Sequence, residues 1–294
     1  ARDGYDIITV DFSQFEFRAA AAYTMEQYLI DTYNERAELL PLLIELGKQF
    51  KEPDPDHFVK EAKKGKYDLT KGQKELVDRF AGTDIHRRNA SLVLNLPINE
   101  ITDKHRSLGK TLGYALLYGA GPRRMLDQLI VSGFYDTTLA DCNMYGQTFM
   151  KQLPKVSSFI SEIHERVLDP GFIETFMGRK RFFPLPPPYQ TRYYEQKLED
   201  AKRQAVNAVF QSSNADATKL SMVVGGQVLE RAFADDIPLM LLNVHDEIVT
   251  EAKKDYSEKA AEIVVNVMTE SGERSLDYKV PIEVSMSIGS AWKK

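Results

Sequence analysis

The chain has one cysteine, Cys142, in 294 residues, which excludes an internal disulfide and a cysteine-based zinc cluster. It has no apolar run approaching the ~18–20 residues that span a bilayer. No charged, apolar and small-residue order opens it, so no signal peptide is visible and the reading is cytoplasmic. Internal repeats and low-complexity tracts are also missing. Nor is there an excess of basic charge: the formal net charge is -5, whereas the footprint of a general nucleic-acid binder is basic.

The distribution of charge says more than the sum. Arg87-Arg88, Arg106 with Lys110, Arg123-Arg124, Arg179-Lys180-Arg181 and Lys202-Arg203 punctuate the middle of the chain. Acids gather near the start, in Glu26–Asp78, and towards the end. One basic doublet is ordinarily solvated surface; five suggest a positive groove.

Asp6–Val10 is a short apolar run ending at Asp11 and reads as a buried strand. A helical pattern follows over about Gln14–Asp31. Tyr33–Phe80, rich in lysine and glutamate and broken at Glu52-Pro-Asp-Pro55 and Lys64-Gly65, reads as an exposed helical insertion. Helices are expected over Ile85–Leu94, stopped by Pro97, and over Asp103–Leu117, ended by Gly119 with Gly121-Pro122 beyond. Phe172–Thr175 and Arg181–Phe183 flank Met177-Gly178 as a hairpin, and Pro184–Pro188 forms a rigid connector. A long helix is expected over Tyr194–Phe233. A second hairpin, Leu239–Val244 and Ile248–Thr250, then carries His245-Asp246-Glu247 at its tip. Helix Tyr256–Glu270 and strand Ile282–Ile288 complete an α+β chain whose sheet draws on both ends.

Asp11 and Asp246 each stand where an apolar strand gives way to a polar residue. Such acids are ordinarily turn formers or caps. Two adjacent acids in one turn, Asp246 and Glu247, repel each other unless a cation sits there. Mg²⁺ is held by one or two carboxylates plus substrate phosphates. Two such ions, ~3.5–4 Å apart, stabilise the attacking and leaving oxygens of an in-line phosphoryl displacement.

Arg106, Lys110, Tyr114 and Tyr118 recur at every fourth position, a stripe that drifts ~40° per step on a helix. Leu108, Leu112 and Leu116 lie round the back. The front presents two cations and then two rings, an order suited to a triphosphate followed by a base. Gly109 and Gly113 inside the helix cost ~1 kcal/mol each relative to alanine, which close approach of a ligand or another backbone would explain.

These residues carry a family resemblance. Asp11-Phe-Ser-Gln-Phe-Glu-Phe-Arg18, Arg106-Ser-Leu-Gly-Lys-Thr-Leu-Gly-Tyr-Ala-Leu-Leu-Tyr-Gly119 and Val244-His-Asp-Glu-Ile-Val249 resemble, in order and spacing, three motifs of the bacterial DNA polymerase I family (family A), including its bacteriophage members. The resemblance implies an antiparallel palm sheet with a mainly helical fingers subdomain. The palm would comprise residues 1–30 and 191–294, and the fingers 31–190 with an insertion at about 33–80.

The resemblance also implies roles. Asp11 and Asp246 would bridge two Mg²⁺ ions, replaceable by Mn²⁺, with the Phe12 carbonyl on the nucleotide-side ion. Glu247 would be a supporting acid. His245 would approach the primer terminus. Lys110 would stabilise and protonate the leaving pyrophosphate, while Arg106 and His86 hold the outer phosphates. Glu16 would exclude a ribose 2′-hydroxyl, with Gln14 beside it in the nucleotide site. Tyr114 would stack near sugar and base, where Tyr rather than Phe implies tolerance of dideoxynucleotides; Tyr118 would adjoin the templating position. Arg203, Asn207 and Gln211, a second stripe at every fourth position, would contact the minor groove of primer–template DNA. Acceptors there occur in every base pair, so such contacts test geometry without reading sequence.

The family's thumb, its first palm segment and any exonuclease would precede Ala1. They are therefore expected to be missing or on another polypeptide, and a partner chain carrying the N-terminal half is the favoured reading, because the strand ending at Asp11 would otherwise leave a sheet edge and an apolar face uncovered. Two other readings stand beside a DNA polymerase: a related single-subunit RNA polymerase, against which Glu16 and His245-Asp246-Glu247 count, and a non-catalytic DNA-binding or assembly module.

Overall fold

Strand β1 (Tyr5–Phe12) alternates its side chains between two faces. Ile8, Val10 and Phe12 are buried, while Thr9 and Asp11 on the opposite face are only partly so. Helix α1 (Phe15–Thr24) follows directly, with Phe15, Phe17 and Ala19 to Ala22 fully buried. The expected helix over 14–31 is two helices, because Met25 takes a left-handed conformation (φ 51°) that a helix cannot contain. Buried Glu26 then accepts a hydrogen bond from the Lys155 N–H at 2.9 Å, and α2 (Gln27–Gln49) begins at the next residue.

The computed structural model describes residues 1–187, 191–233 and 235–292. They form two units, Ala1–Tyr23 with Glu165–Lys294, and Thr24–His164.

The second unit is all helix: α2, α3 (Pro55–Lys63), α4 (Lys71–Gly82), α5 (Ile85–Leu94), α6 (Asp103–Leu117), α7 (Pro122–Val131), α8 (Leu139–Gln152) and most of α9 (Pro154–Arg166). Helices α2 to α4, which include the segment expected as a helical insertion, bury apolar residues among themselves. Leu39, Leu43, Leu46, Phe58, Val77 and Phe80 form a core of their own, and Phe50, Phe58 and Tyr67 stack beside it. Asp54 caps α3 by accepting from the His57 N–H, and Thr70 with Gln73 forms a capping box for α4. Helices α5 and α6 coincide with their expected bounds, and Leu108, Leu112 and Leu116 are the buried back of α6. Gly109 serves backbone approach. A Cβ there would lie 2.2 Å from the His86 carbonyl oxygen and 2.6 Å from the Ala90 nitrogen, both on α5.

The first unit holds β1, the hairpin β2 (Phe172–Glu174) and β3 (Lys180–Phe182), the 42-residue α10 (Thr191–Ala232), β4 (Leu239–Val244), β5 (Glu247–Lys253), α11 (Ser257–Ser275) and β6 (Val284–Gly289). The four-stranded antiparallel sheet has the order β4-β5-β1-β6. Strand β1 is therefore central, and the uncovered edge expected for it does not exist; β4 and β6 are the edge strands. Helix α11 packs on the face of Ile8, Val10 and Phe12, where Gly272 admits Phe12 and Ile282.

The units exchange chain at 23/24 and 164/165, not near 30 and 190. The cause is the β2–β3 hairpin, which belongs with α10: Thr175 donates to Asp216 at 2.7 Å, Arg179 to the same carboxylate at 2.5 Å, and Phe176 stacks on Tyr23 at 4.1 Å. Of the expected connector 184–188, residue 188 lies outside the described residues, as does the expected boundary at 190. Among the described residues no helix is long and apolar enough to cross a membrane.

Gly109→Ala is expected to lower stability by about 1–3 kcal/mol, because α5 and α6 must move apart to admit the methyl group. Chemical denaturation measures this, and an unchanged midpoint would refute the close-approach role.

Candidate active site

In the sheet unit, register creates the acidic cluster. Asp11 pairs directly with Glu247 across β1 and β5, so their side chains share one face. Val244 pairs with Glu247 across β4 and β5, which leaves His245 and Asp246 as a two-residue turn. His245 adopts φ 59°, the left-handed conformation that tight hairpins require. Asn243 braces the turn by donating to the carbonyls of His245 (3.2 Å) and Glu247 (3.3 Å). Asp246 is thus the residue next to the Asp11–Glu247 pair, and Asn214 of α10 donates to its Oδ2 at 3.4 Å.

The end of β1 is clamped as firmly. Buried Arg18 donates to the carbonyls of Ser13 (2.8 Å) and Pro281 (2.5 Å) and pairs with Glu283 at 3.1 Å. Glu247 is 8% exposed and accepts from the Trp292 indole N–H at 2.5 Å. These oxygen donors are hard ligands of the kind Mg²⁺ and Mn²⁺ take. Among the described residues no three His, Cys, Asp or Glu side chains are gathered into a cage, so phosphate and water oxygens would have to complete any such ion's coordination.

Around this cluster the other sequence candidates of the unit take their places. Gln14 adopts φ 58° at the turn between β1 and α1, and Glu16 stands in the first turn of α1. Gln211 of α10 donates to Glu16 Oε1 at 3.3 Å. Asn207, exposed, lies one turn before Gln211, and Arg203 one turn before that, ion-paired to Asp200.

In the helical unit the second group of candidates gathers on α5 and α6. Asp84 caps α5 by accepting from the Arg87 N–H at 2.8 Å, and its other oxygen accepts from Arg106 at 2.7 Å. Burial opposes the Asp84 charge, yet the Arg106 guanidinium beside it keeps its carboxyl below the ordinary value. The ring of buried His86 lies 5.7 Å from that of Tyr114, which lies 6.1 Å from that of Tyr118. Lys110 is exposed on the same stripe, and with Tyr114, Arg124 and Gln128 it lines a cavity of about 620 Å³ between α6 and α7. Desolvation, reinforced by Arg106 and Lys110 and opposed by Asp84, lowers His86 from 6.5 to about 4. Its imidazole is therefore neutral at pH 7.

The structure gathers the sequence candidates into these two groups. Most of the basic doublets contain a residue paired with an acid of the same unit. Arg87 pairs with Asp103, Arg88 with Glu35, Arg179 with Asp216, and Lys202 with Glu199. Sequence reasoning missed Asp84 as the partner of Arg106, Asn214 and Asn243 around Asp246, and Trp292. Asp84 offered one signal, an acid directly before a predicted helix. Asn243 contacts its own turn, two and four residues on, while Asn214 and Trp292 reach their acids from 32 and 45 positions away and left no signal.

With this geometry established, the comparisons with known proteins decide the family. Residues 70–294 match the model of DNA polymerase family A. The chain belongs to DNA polymerase family A. It is similar to the thermostable DNA polymerase I of Thermus aquaticus, with 33% identity over 222 residues, 75% of this chain and 24% of that protein. A DNA polymerase I of Thermus thermophilus aligns over 99% of this chain at 27% identity, covering 27% of its own length. DNA polymerase I of Mycobacterium tuberculosis is 30% identical over 75% of the chain. The chain thus spans about a quarter of the length of the curated relatives it matches. The polymerase domain of Pol1 from M. smegmatis, solved in complex with DNA primer-template and dNTP, shares the fold at a TM-score of 0.70. That match has 23% identity and covers 99% of this chain and 40% of that one.

The depressed His86 value has a consequence for stability. A neutral buried histidine that protonates on unfolding favours the unfolded chain below its ordinary pKa. Its penalty should be absent above pH 6.5, grow as pH falls toward 4 and reach up to about 3 kcal/mol. Denaturant titrations across that window should give a shallower pH slope for His86→Gln than for the wild type; equal slopes would contradict the buried neutral state.

Proposed function

We propose that this chain is the catalytic part of a template-directed DNA polymerase that adds deoxynucleotides to a primer 3′-hydroxyl, working with two Mg²⁺ ions for which Mn²⁺ can substitute. The observation that carries the reading is the strand register that sets Asp11 opposite Glu247 with Asp246 in the adjoining turn. Asp11 and Asp246 would hold the ions, with the Phe12 carbonyl as a further ligand and Glu247 as a supporting acid. Bound there, the ions would supply Lewis acidity to the attacking and leaving oxygens.

In the reaction the primer 3′-oxygen bonds to the α-phosphorus of the triphosphate, the α–β phosphoanhydride breaks, and pyrophosphate leaves. Lys110 donates a proton to that leaving group, and Arg106, oriented by Asp84, holds the outer phosphates. Neutral His86 contributes a hydrogen-bond donor without a second charge. Tyr114 stacks near the sugar and base and permits dideoxynucleotides, and Tyr118 adjoins the templating base. Glu16, oriented by Gln211, excludes a ribose hydroxyl, with Gln14 beside it. Arg203, Asn207 and Gln211 follow the minor groove, and His245 meets the primer terminus.

In this reading the unit of β1 to β6 is the palm and the unit of α2 to α8 is the fingers. The partners are primer–template DNA and deoxynucleoside triphosphates. The intact acids and Lys110 favour catalysis over a non-catalytic assembly role.

Primer extension with Mg²⁺ tests the assignment. Asp11→Asn and Asp246→Asn should each lower the rate by more than about 100-fold, the upper end for residues that only support a ligand. Wild-type rates in either variant would remove that residue from the metal site.

A further inference from the structure

Trp292 is the chain's one tryptophan, and its placement does not follow from burial. The residue keeps 41% of its surface exposed, whereas its indole N–H is committed to a short bond, 2.5 Å, with a carboxylate that is 8% exposed. The two residues are 45 positions apart in the chain. Glu247 faces Asp11 across the strand pair and immediately follows Asp246. A buried carboxylate beside two further acids has several orientations open to it. The indole bond to Oε1 selects one. An indole is suited to this task because it donates one hydrogen bond, accepts none and cannot ionise.

We infer that Trp292 is a positioning residue for the metal site: it fixes Glu247 beside Asp11 and Asp246, so that the segment following β6 contributes to cation binding, and its indole reports occupancy of the site. The inference deepens the proposed function and rests on reading Asp11 and Asp246 as a cation site with Glu247 as its supporting acid. Outer partners of this kind, which orient a ligand or a supporting acid, alter metal affinity by about 10- to 100-fold.

The test needs neither DNA nor turnover. Mn²⁺ is titrated into the full chain, with free ion counted by electron paramagnetic resonance and Trp292 emission followed in parallel. Wild-type protein should bind Mn²⁺ saturably, with indole quenching that Mg²⁺ reverses, and Asp246→Asn should abolish both. Trp292→Phe and Glu247→Gln should each weaken Mn²⁺ binding about 10-fold, and the double variant should be no weaker than either single one, because both remove the same support. Multiplying effects in the double variant, or unchanged affinity in Trp292→Phe, would overturn the positioning role while leaving the metal site standing. Wild-type affinity in Asp246→Asn would instead remove the cation site and the inference with it. Should Trp292→Phe fail to fold, Glu247→Gln decides through its retained indole, because a quenching midpoint equal to wild type overturns the proposal.

Discussion

The antiparallel pairing of β1 with β5 is the constraint on which the candidate site depends. Asp11 and Glu247 are 236 positions apart, and only the register from Tyr5↔Lys253 to Asp11↔Glu247 makes them neighbours. A one-residue slip would turn Asp11 to the face of Ile8, Val10 and Phe12, against α11, where a carboxylate is costly to bury. The hydrophobic face therefore fixes the position of the acids: burying Val10 and Phe12 obliges Asp11 to point the other way. The two-residue turn with His245 in the left-handed region then sets Asp246 one step beyond the pair.

A second constraint organises the helical unit. Gly109 lets α6 lie against the backbone of α5, and this contact gathers His86, Arg106 and Tyr114. Asp84 both begins α5 and holds Arg106, so one carboxylate secures the helix start and the direction of a cation on the next helix. Of the two close approaches the sequence allowed at Gly109, a ligand or another backbone, the structure shows the backbone. The ligand-facing chemistry follows from that packing.

Much of this was legible in the sequence, and the reasons differ by element. Helices α5 and α6 have clear stops, Pro97 and Gly119, and their bounds were read correctly. Strand β1 and the β4–β5 hairpin declared themselves through short apolar runs ending in acids. The break at Met25 was not legible, because methionine carries no signal for a left-handed turn; the buried Glu26–Lys155 contact that accompanies it comes from far along the chain. The three-helix core within 33–80 was hidden by its many charged residues, which solvate one face while Leu43, Phe58 and Phe80 pack on the other. The basic doublets misled in the opposite direction. Their number suggested a positive groove, yet Arg87, Arg88 and Arg179 spend their charge on carboxylates within the fold. The family model, which begins at residue 70, leaves β1 and Asp11 outside its match. The placement of Asp11 therefore rests on strand pairing.

The central claim is that Asp11 and Asp246, remote in sequence, address one cation site. Iron(II) substituted for Mg²⁺ generates hydroxyl radicals that cut the backbone beside the bound ion, and mapping those cuts tests the claim most directly. The account predicts two sets of cuts, one around residues 11–13 and one around residues 245–247, both suppressed together by excess Mg²⁺. Cuts at only one of these places, or cuts that Mg²⁺ does not suppress, would contradict it.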